Sequence, residues 1–241
     1  MLGINIYPAG DCAFFIQIEE KIDPVINSRI INISRQIENK VQGIDELVPS
    51  YSGLMVYFNP LKINSDTLKK SLRNITDSIH SEEHIPGGRI VTVPALYGGR
   101  SGPDIEAVAT HNSISIEEVI RIHSSQCYLV YMLGFTPGFP YLGGMDSRIA
   151  TPRRGDPRLK IPAGSVGIAG KQTGIYPTES PGGWQIIGQT PVRLFDPDTR
   201  AEFLLKAGDH IIFKPIVQDE FEEIKDLVYR NKYIQQIKTQ E

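Results

Sequence analysis

Ile26, Ile30, Ile33 and Ile37 recur at spacings of four, three and four, with mostly polar residues between them. That period predicts one apolar stripe along an α-helix. Asp23 and Pro24 stand immediately before it as an N-cap and a first-turn proline. Leu68, Leu72, Ile75 and Ile79 predict a second stripe. Residues 13–18, 44–48 and 54–58 are β-rich, and the run RIVTVPA from Arg89 closes the segment as a further strand. The order is βαββαβ, which predicts a ferredoxin-like α+β domain over residues 1–88. The string HIPGG at residues 84–88 marks its boundary.

The pattern then changes. Twelve of the 22 glycines and seven of the 17 prolines lie between Gly134 and Thr190. Short β-like pieces at residues 128–133, 165–169, 184–187, 192–195 and 210–214 sit among these turn-makers. Many short strands with frequent turns predict a closed barrel or sandwich over residues 89–217. Two helices are inserted in it, at DIEAVATH and ISIEEVIRIH, and Ser115 with Glu118 predicts a capping box for the second. Phe221, Ile224, Val228 and Ile234 predict a terminal helix within residues 218–241.

Composition narrows the function. The chain of 241 residues is 40% apolar and 22% charged with a formal net charge of −3. That balance gives no case for nucleic acid or an anionic membrane as partner. Cys12 and Cys127 are too few and too far apart for a zinc site or a disulfide framework, which suits a cytoplasmic protein. The start has neither the basic region nor the apolar run of a signal peptide, and no segment has the length of a membrane span. The two sequons, at Asn32 and Asn74, fall on predicted helices and are expected to be chance matches.

Two motifs fail on detail. GSVGIAGKQT from Gly164 resembles a phosphate-binding loop, but five residues separate its glycines and Gln172 follows Lys171 where Ser or Thr is required. The helix pair at residues 104–125 offers Arg121 as its second helix's one fixed positive charge, too little for reading DNA. It is expected to cover an open end of the barrel.

The candidate site begins at GFTPGFPYLGG, residues 134–144. Glycines allow close backbone approach and prolines fix the path, so the loop loses little entropy on binding. Phe135, Phe139 and Tyr141 supply an apolar wall for a pocket or a partner. TGIYP and PGGWQ read as companion loops that bring Gln172, Tyr176 and Trp184 as substrate-binding groups. Arg148, Arg153, Arg154, Arg158, Lys160 and Lys171 lie within 24 residues that hold one acid, Asp156. Arg153 and Arg154 are the expected anion clamp. His123 is the candidate acid or base, with no acidic partner identifiable from spacing. No metal ligands are expected.

YGG…GPD at residues 97–104, HSS at 123–125, GFTPGFPYLGG, TPRR, DPR, IPAGSVGIAGKQTGIYPTESPGGWQIIGQT and LFDP follow in an order that resembles one family across nearly the whole chain. It is the family of the 5-oxoprolinase B subunit (PxpB), the sporulation-kinase inhibitor KipI and the allophanate hydrolase subunit 1 domain. The resemblance implies an N-terminal α+β domain, a cyclophilin-like β-barrel and a KipA-type C subunit as partner, with a similar barrel. It implies one component, inactive alone, of an ATP-dependent 5-oxoprolinase that opens 5-oxo-L-proline to L-glutamate with A and C subunits. ATP and Mg2+ then belong to the complex, and none is expected in the isolated chain. The same resemblance leaves open an inhibitor of sensor histidine kinase autophosphorylation, or a part in allophanate or urea chemistry.

Overall fold

The computed structural model describes residues 3–19, 21–79, 88–196 and 202–239. The chain divides into two compact units, Met1–Pro86 and Gly87–Glu241. Most of the expected boundary string, residues 84–87, lies outside the described residues.

The first unit runs β1 (Asn5–Pro8), β2 (Ala13–Gln17), α1 (Pro24–Lys40), β3 (Ile44–Pro49), β4 (Gly53–Phe58) and α2 (Ser65–Ser78). The Asp23 carboxylate caps α1 by accepting from the Val25 amide at 2.9 Å. The isoleucine stripe of α1 is buried, as are Leu68, Leu72 and Ile75 of α2, so both helices bury the face their period predicts. The sheet is antiparallel throughout, in the order β1-β2-β4-β3.

This corrects the expected βαββαβ order. The RIVTVPA strand does not close this sheet. An additional N-terminal strand, β1, pairs with β2 instead, giving ββαββα. RIVTVPA is the start of β5 (Arg89–Tyr97) in the second unit, where it lies parallel to a strand more than a hundred residues further on.

After β5 come α3 (Ile105–His111), α4 (Ile116–Ser124), β6 (Cys127–Leu133), β7 (Pro140–Gly143), a 3₁₀ turn (Ser147–Ile149), β8 (Arg158–Ile161), β9 (Ser165–Ala169), β10 (Gln172–Ile175), β11 (Ser180–Gly182) and β12 (Gln185–Gln189). Then follow β13 (Phe195–Asp196), β14 (Glu202–Phe203), β15 (His210–Pro215), α5 (Gln218–Tyr229) and β16 (Ile237–Thr239). Seven strands close a mixed barrel in the order β12-β9-β10-β7-β6-β15-β5, with β5 returning to pair β12. β16 is an added strand on the first half of β5. The terminal helix is therefore shorter than expected. Asn231, at φ 54°, follows the Arg230 cap in the left-handed region, and Ile234 lies exposed beyond it.

Alternation along the strands sorts residues to two sides. Val166, Ile168, Ile175 and Leu142 join Val93, Val130 and Phe213 in the barrel core. Ile105, Val108, Val119 and Ile122 of α3 and α4 pack into the same core. The Ser115 hydroxyl caps α4 by accepting from the Glu118 amide at 3.1 Å, whereas the Glu118 carboxylate turns to Arg121 instead of completing a capping box. No helix among the described residues is long and apolar enough to cross a membrane.

Candidate functional site

The glycine-rich string is a hairpin tip. It joins β6 to β7, with Leu133 opposite Pro140, and the Gly134 amide donates to Phe139 O at 3.1 Å. Its second half is a regular strand, which the density of glycine and proline obscures. Phe135 has φ 68°, a backbone state uncommon for a bulky side chain, and it is 64% exposed. Phe139 turns inward and is buried.

Phe139, Tyr176 and Trp184 meet edge to face in a second, smaller core with Ile161, Ala169 and Ile186. Phe139 is 5.3 Å from Tyr176 and 5.5 Å from Trp184 between ring centroids, at interplanar angles of 82° and 87°. Tyr141 packs against this core half-buried. Gly174 explains how three large rings fit against the sheet. A Cβ there would lie 2.9 Å from Pro140 O and 3.1 Å from both Phe139 and Trp184. The expected gathering of Phe139, Tyr141, Tyr176 and Trp184 is thus real, but Tyr176 and Trp184 fill a core and do not line an open mouth. Gln172 begins β10 half-buried, and Phe135 is the ring presented to solvent. Burial pushes the Tyr176 phenol pKa up, while the nearby Arg153 charge pulls it the opposite way.

The local excess of positive charge is mostly paired with acids that lie outside that 24-residue window. Arg148 pairs with Asp146 and Glu118, and Lys160 with Glu179. Arg154 donates to Asp104 Oδ1 at 2.9 Å, and Arg158 forks onto both Asp104 oxygens at 2.7 Å. Arg154 is therefore engaged by Asp104 and is not left free beside Arg153. Arg153 is exposed and pairs with no carboxylate among the described residues. Asp104 is the residue that sequence reasoning missed. It ends the GPD motif just before α3, where an acid reads as an N-cap, yet its side chain makes no capping bond.

His123 is fully buried in the barrel core. Its Nδ1 is 2.7 Å from the Tyr97 hydroxyl and its Nε2 is 2.9 Å from Thr173 Oγ1. Thr173 Oγ1 donates to Gly167 O at 3.0 Å, so it accepts from Nε2–H, and Nδ1 accepts from Tyr97. This chain fixes a neutral ring. Burial lowers the His123 pKa to about 3, and the ring packs on Phe213 at 4.6 Å. Both nitrogens are occupied and no solvent reaches them, so the expected acid–base role has no geometry here. The ring is a hydrogen-bonded core residue.

Gly164–Lys171 is likewise no phosphate loop. The Gly164 amide donates to Tyr176 O, and a Cβ on Gly164 would lie 2.2 Å from Thr190 O.

Residues 4–205 match the family described as carboxyltransferase domain, subdomain C and D. The chain is 43% identical over 233 residues to the 5-oxoprolinase B subunit of Bacillus subtilis (strain 168), a match covering 92% of this chain and 97% of that one. It is 39% identical over 216 residues to the Escherichia coli O157:H7 protein of the same name, covering 89% and 97%. The solved urea carboxylase of Kluyveromyces lactis superposes with a TM-score of 0.80 over 98% of this chain and 24% of that one, a likeness of fold at 23% identity. With the family matched over most of its length and two relatives matched end to end, the chain belongs to the carboxyltransferase domain, subdomain C and D, family, alongside proteins named as 5-oxoprolinase B subunits.

Proposed function

We propose that this chain is the B subunit of an ATP-dependent 5-oxoprolinase that opens 5-oxo-L-proline to L-glutamate together with A and C subunits. The observation that carries the reading is the end-to-end correspondence, 43% identity over 97% of a 5-oxoprolinase B subunit. The geometry supports a contributing role within a larger assembly. The amide nitrogen of a five-membered lactam is a poor leaving group, so ring opening needs activation. The Gly164 segment does not form a triphosphate loop, because its amides and glycines are committed to the sheet. Among the described residues no cluster of three His, Cys, Asp or Glu is placed to hold a metal ion. As part of the same proposal, ATP and Mg2+ act at the level of the assembled complex.

Two groups on this chain face outward for that assembly. Arg153, paired with no carboxylate among the described residues, offers its guanidinium for the substrate carboxylate. Phe135 offers an exposed ring for the C subunit, since an aromatic held in solvent against its backbone preference points to a contact.

The test is glutamate release from 5-oxo-L-proline and magnesium-ATP by the three purified subunits, each omitted in turn. Glutamate is expected from the complete set and none without this chain. Undiminished turnover in its absence overturns the assignment.

A further inference from the structure

Asp104 has the geometry of a brace. Its side chain is 4% exposed and its two oxygens accept four hydrogen bonds, filling the capacity of a carboxylate. One comes from Arg154, two from the Arg158 fork, and one from the Ile186 amide of β12 at 2.7 Å. Arg154 and Arg158 are the two ends of the turn Arg154-Gly155-Asp156-Pro157-Arg158, so one carboxylate holds both ends. The neighbouring backbone is tied down as well. The Arg154 amide donates to Gly183 O at 2.8 Å, and Gln185 Nε2 donates to Pro152 O at 3.0 Å. Arg153 sits between these two anchors. Its backbone is held on both sides while its side chain stays exposed, and its charge reaches the Tyr176 phenol.

We infer that Asp104 is a positioning residue that acts through Arg154 and Arg158 to hold residues 152–158 on the barrel, so that Arg153 presents a free guanidinium to the carboxylate of 5-oxo-L-proline. The inference rests on the function proposed above. The charge count is part of the mechanism. Three arginines lie in this segment, and Asp104 engages two of them in fixed geometry, leaving one for ligand. Without the carboxylate, all three guanidiniums repel one another and the turn has no common anchor.

Asp104→Asn keeps the shape and removes the charge. Arg158→Lys keeps the charge and loses the fork, loosening the same brace while leaving the buried carboxylate in place. Two readouts separate the brace from the reaction. The first is native-state tryptic cleavage at Arg154–Gly155, which reports local opening of the turn whatever the protein does. The second is steady-state kinetics of the assembled enzyme, with all three subunits present, on 5-oxo-L-proline.

Both variants are expected to be cut at Arg154–Gly155 faster than wild type while the barrel remains folded. Both should raise KM about ten- to a hundredfold with kcat little changed, the loss expected for a charge-assisted hydrogen bond to a carboxylate. Arg153→Ala should raise KM similarly, and Asp104→Asn/Arg153→Ala should be no worse than Arg153→Ala alone. Unchanged cleavage in both variants overturns the brace. Faster cleavage with KM effects that multiply in the double variant overturns the action through Arg153. Faster cleavage in a variant whose wild-type complex never turns over 5-oxo-L-proline overturns the substrate assignment together with the proposed function, with the brace established separately.

Discussion

Replacing His123 with alanine is expected to remove about 3–5 kcal/mol of barrel stability at neutral pH, and less at pH 5. The first figure follows from the site. The substitution leaves a cavity against Tyr128 and Phe213, and it strips partners from the Tyr97 and Thr173 hydroxyls. The pH dependence follows from the direction of the shift. An unfolded histidine protonates near its ordinary pKa of about 6.5, whereas His123 in the barrel protonates only at about 3. Between those values the unfolded chain binds a proton that the folded chain refuses. The stability from this residue is therefore full above about pH 6.5 and falls as the pH drops towards 3, by about 1.4 kcal/mol per pH unit. Tyr97 and Tyr128, which face the ring, stay protonated throughout because burial pushes both phenols up. His210 is also shifted down by burial and adds a slope of the same sign, so the difference between wild type and variant is the quantity to measure. The chain's one tryptophan, Trp184, lies in the barrel unit, so its fluorescence in urea follows that unit alone. The gap between the two proteins should be largest at pH 7.5 and shrink by pH 5. An equal gap at both values would rule out a buried neutral ring. Turnover per folded molecule should be unaffected, in contrast to the loss expected of a proton-transfer residue.

The helices of the first unit are legible because a stripe of isoleucine at helical spacing has one way to be buried. Sheet membership is not written locally in the same way. RIVTVPA is plainly a strand, but its partners are β15 and β16, more than a hundred residues away, so sequence order assigns it to the wrong sheet. QTGI and SPG are too short and too rich in turn residues to show alternation, yet they are β10 and β11. The site shows the same limit. Counting acids within a window leaves Arg154 without a partner, because Asp104 lies 50 residues upstream. His123 reads as a free imidazole because its partners, Tyr97 and Thr173, are 26 and 50 residues distant. The aromatic gathering is the part that survives, since Gly and Pro around Phe139, Tyr176 and Trp184 are themselves the sign of close backbone packing.

Phe135 and Phe139 are four residues apart on one hairpin tip, and their substitutions should have opposite consequences. Phe139 is 2% exposed and touches Tyr141, Tyr176 and Trp184. Phe139→Ala opens a hole beneath all three rings and is expected to cost about 3–5 kcal/mol, read from Trp184 fluorescence in urea. Phe135 buries little and holds a left-handed backbone at φ 68°, a state that costs a bulky residue about 1–2 kcal/mol. Phe135→Gly relieves that strain, and the gain is offset by roughly 1 kcal/mol of added freedom in the unfolded chain. It also gives up the ring's edge contact with Phe139 at 5.6 Å, a modest loss for a side chain so exposed. Its stability should then stay within about 1 kcal/mol of wild type. A ring kept outside at the expense of its backbone is explained if the C subunit covers it. On size exclusion at micromolar concentrations, wild type should elute with a co-expressed KipA-type partner and Phe135→Gly should elute apart, although it is as well folded. If Phe135→Gly still travels with the partner, the contact lies on another face of the barrel. If instead it unfolds as readily as Phe139→Ala, the exposed ring is part of the core's support and the partner has no claim on it.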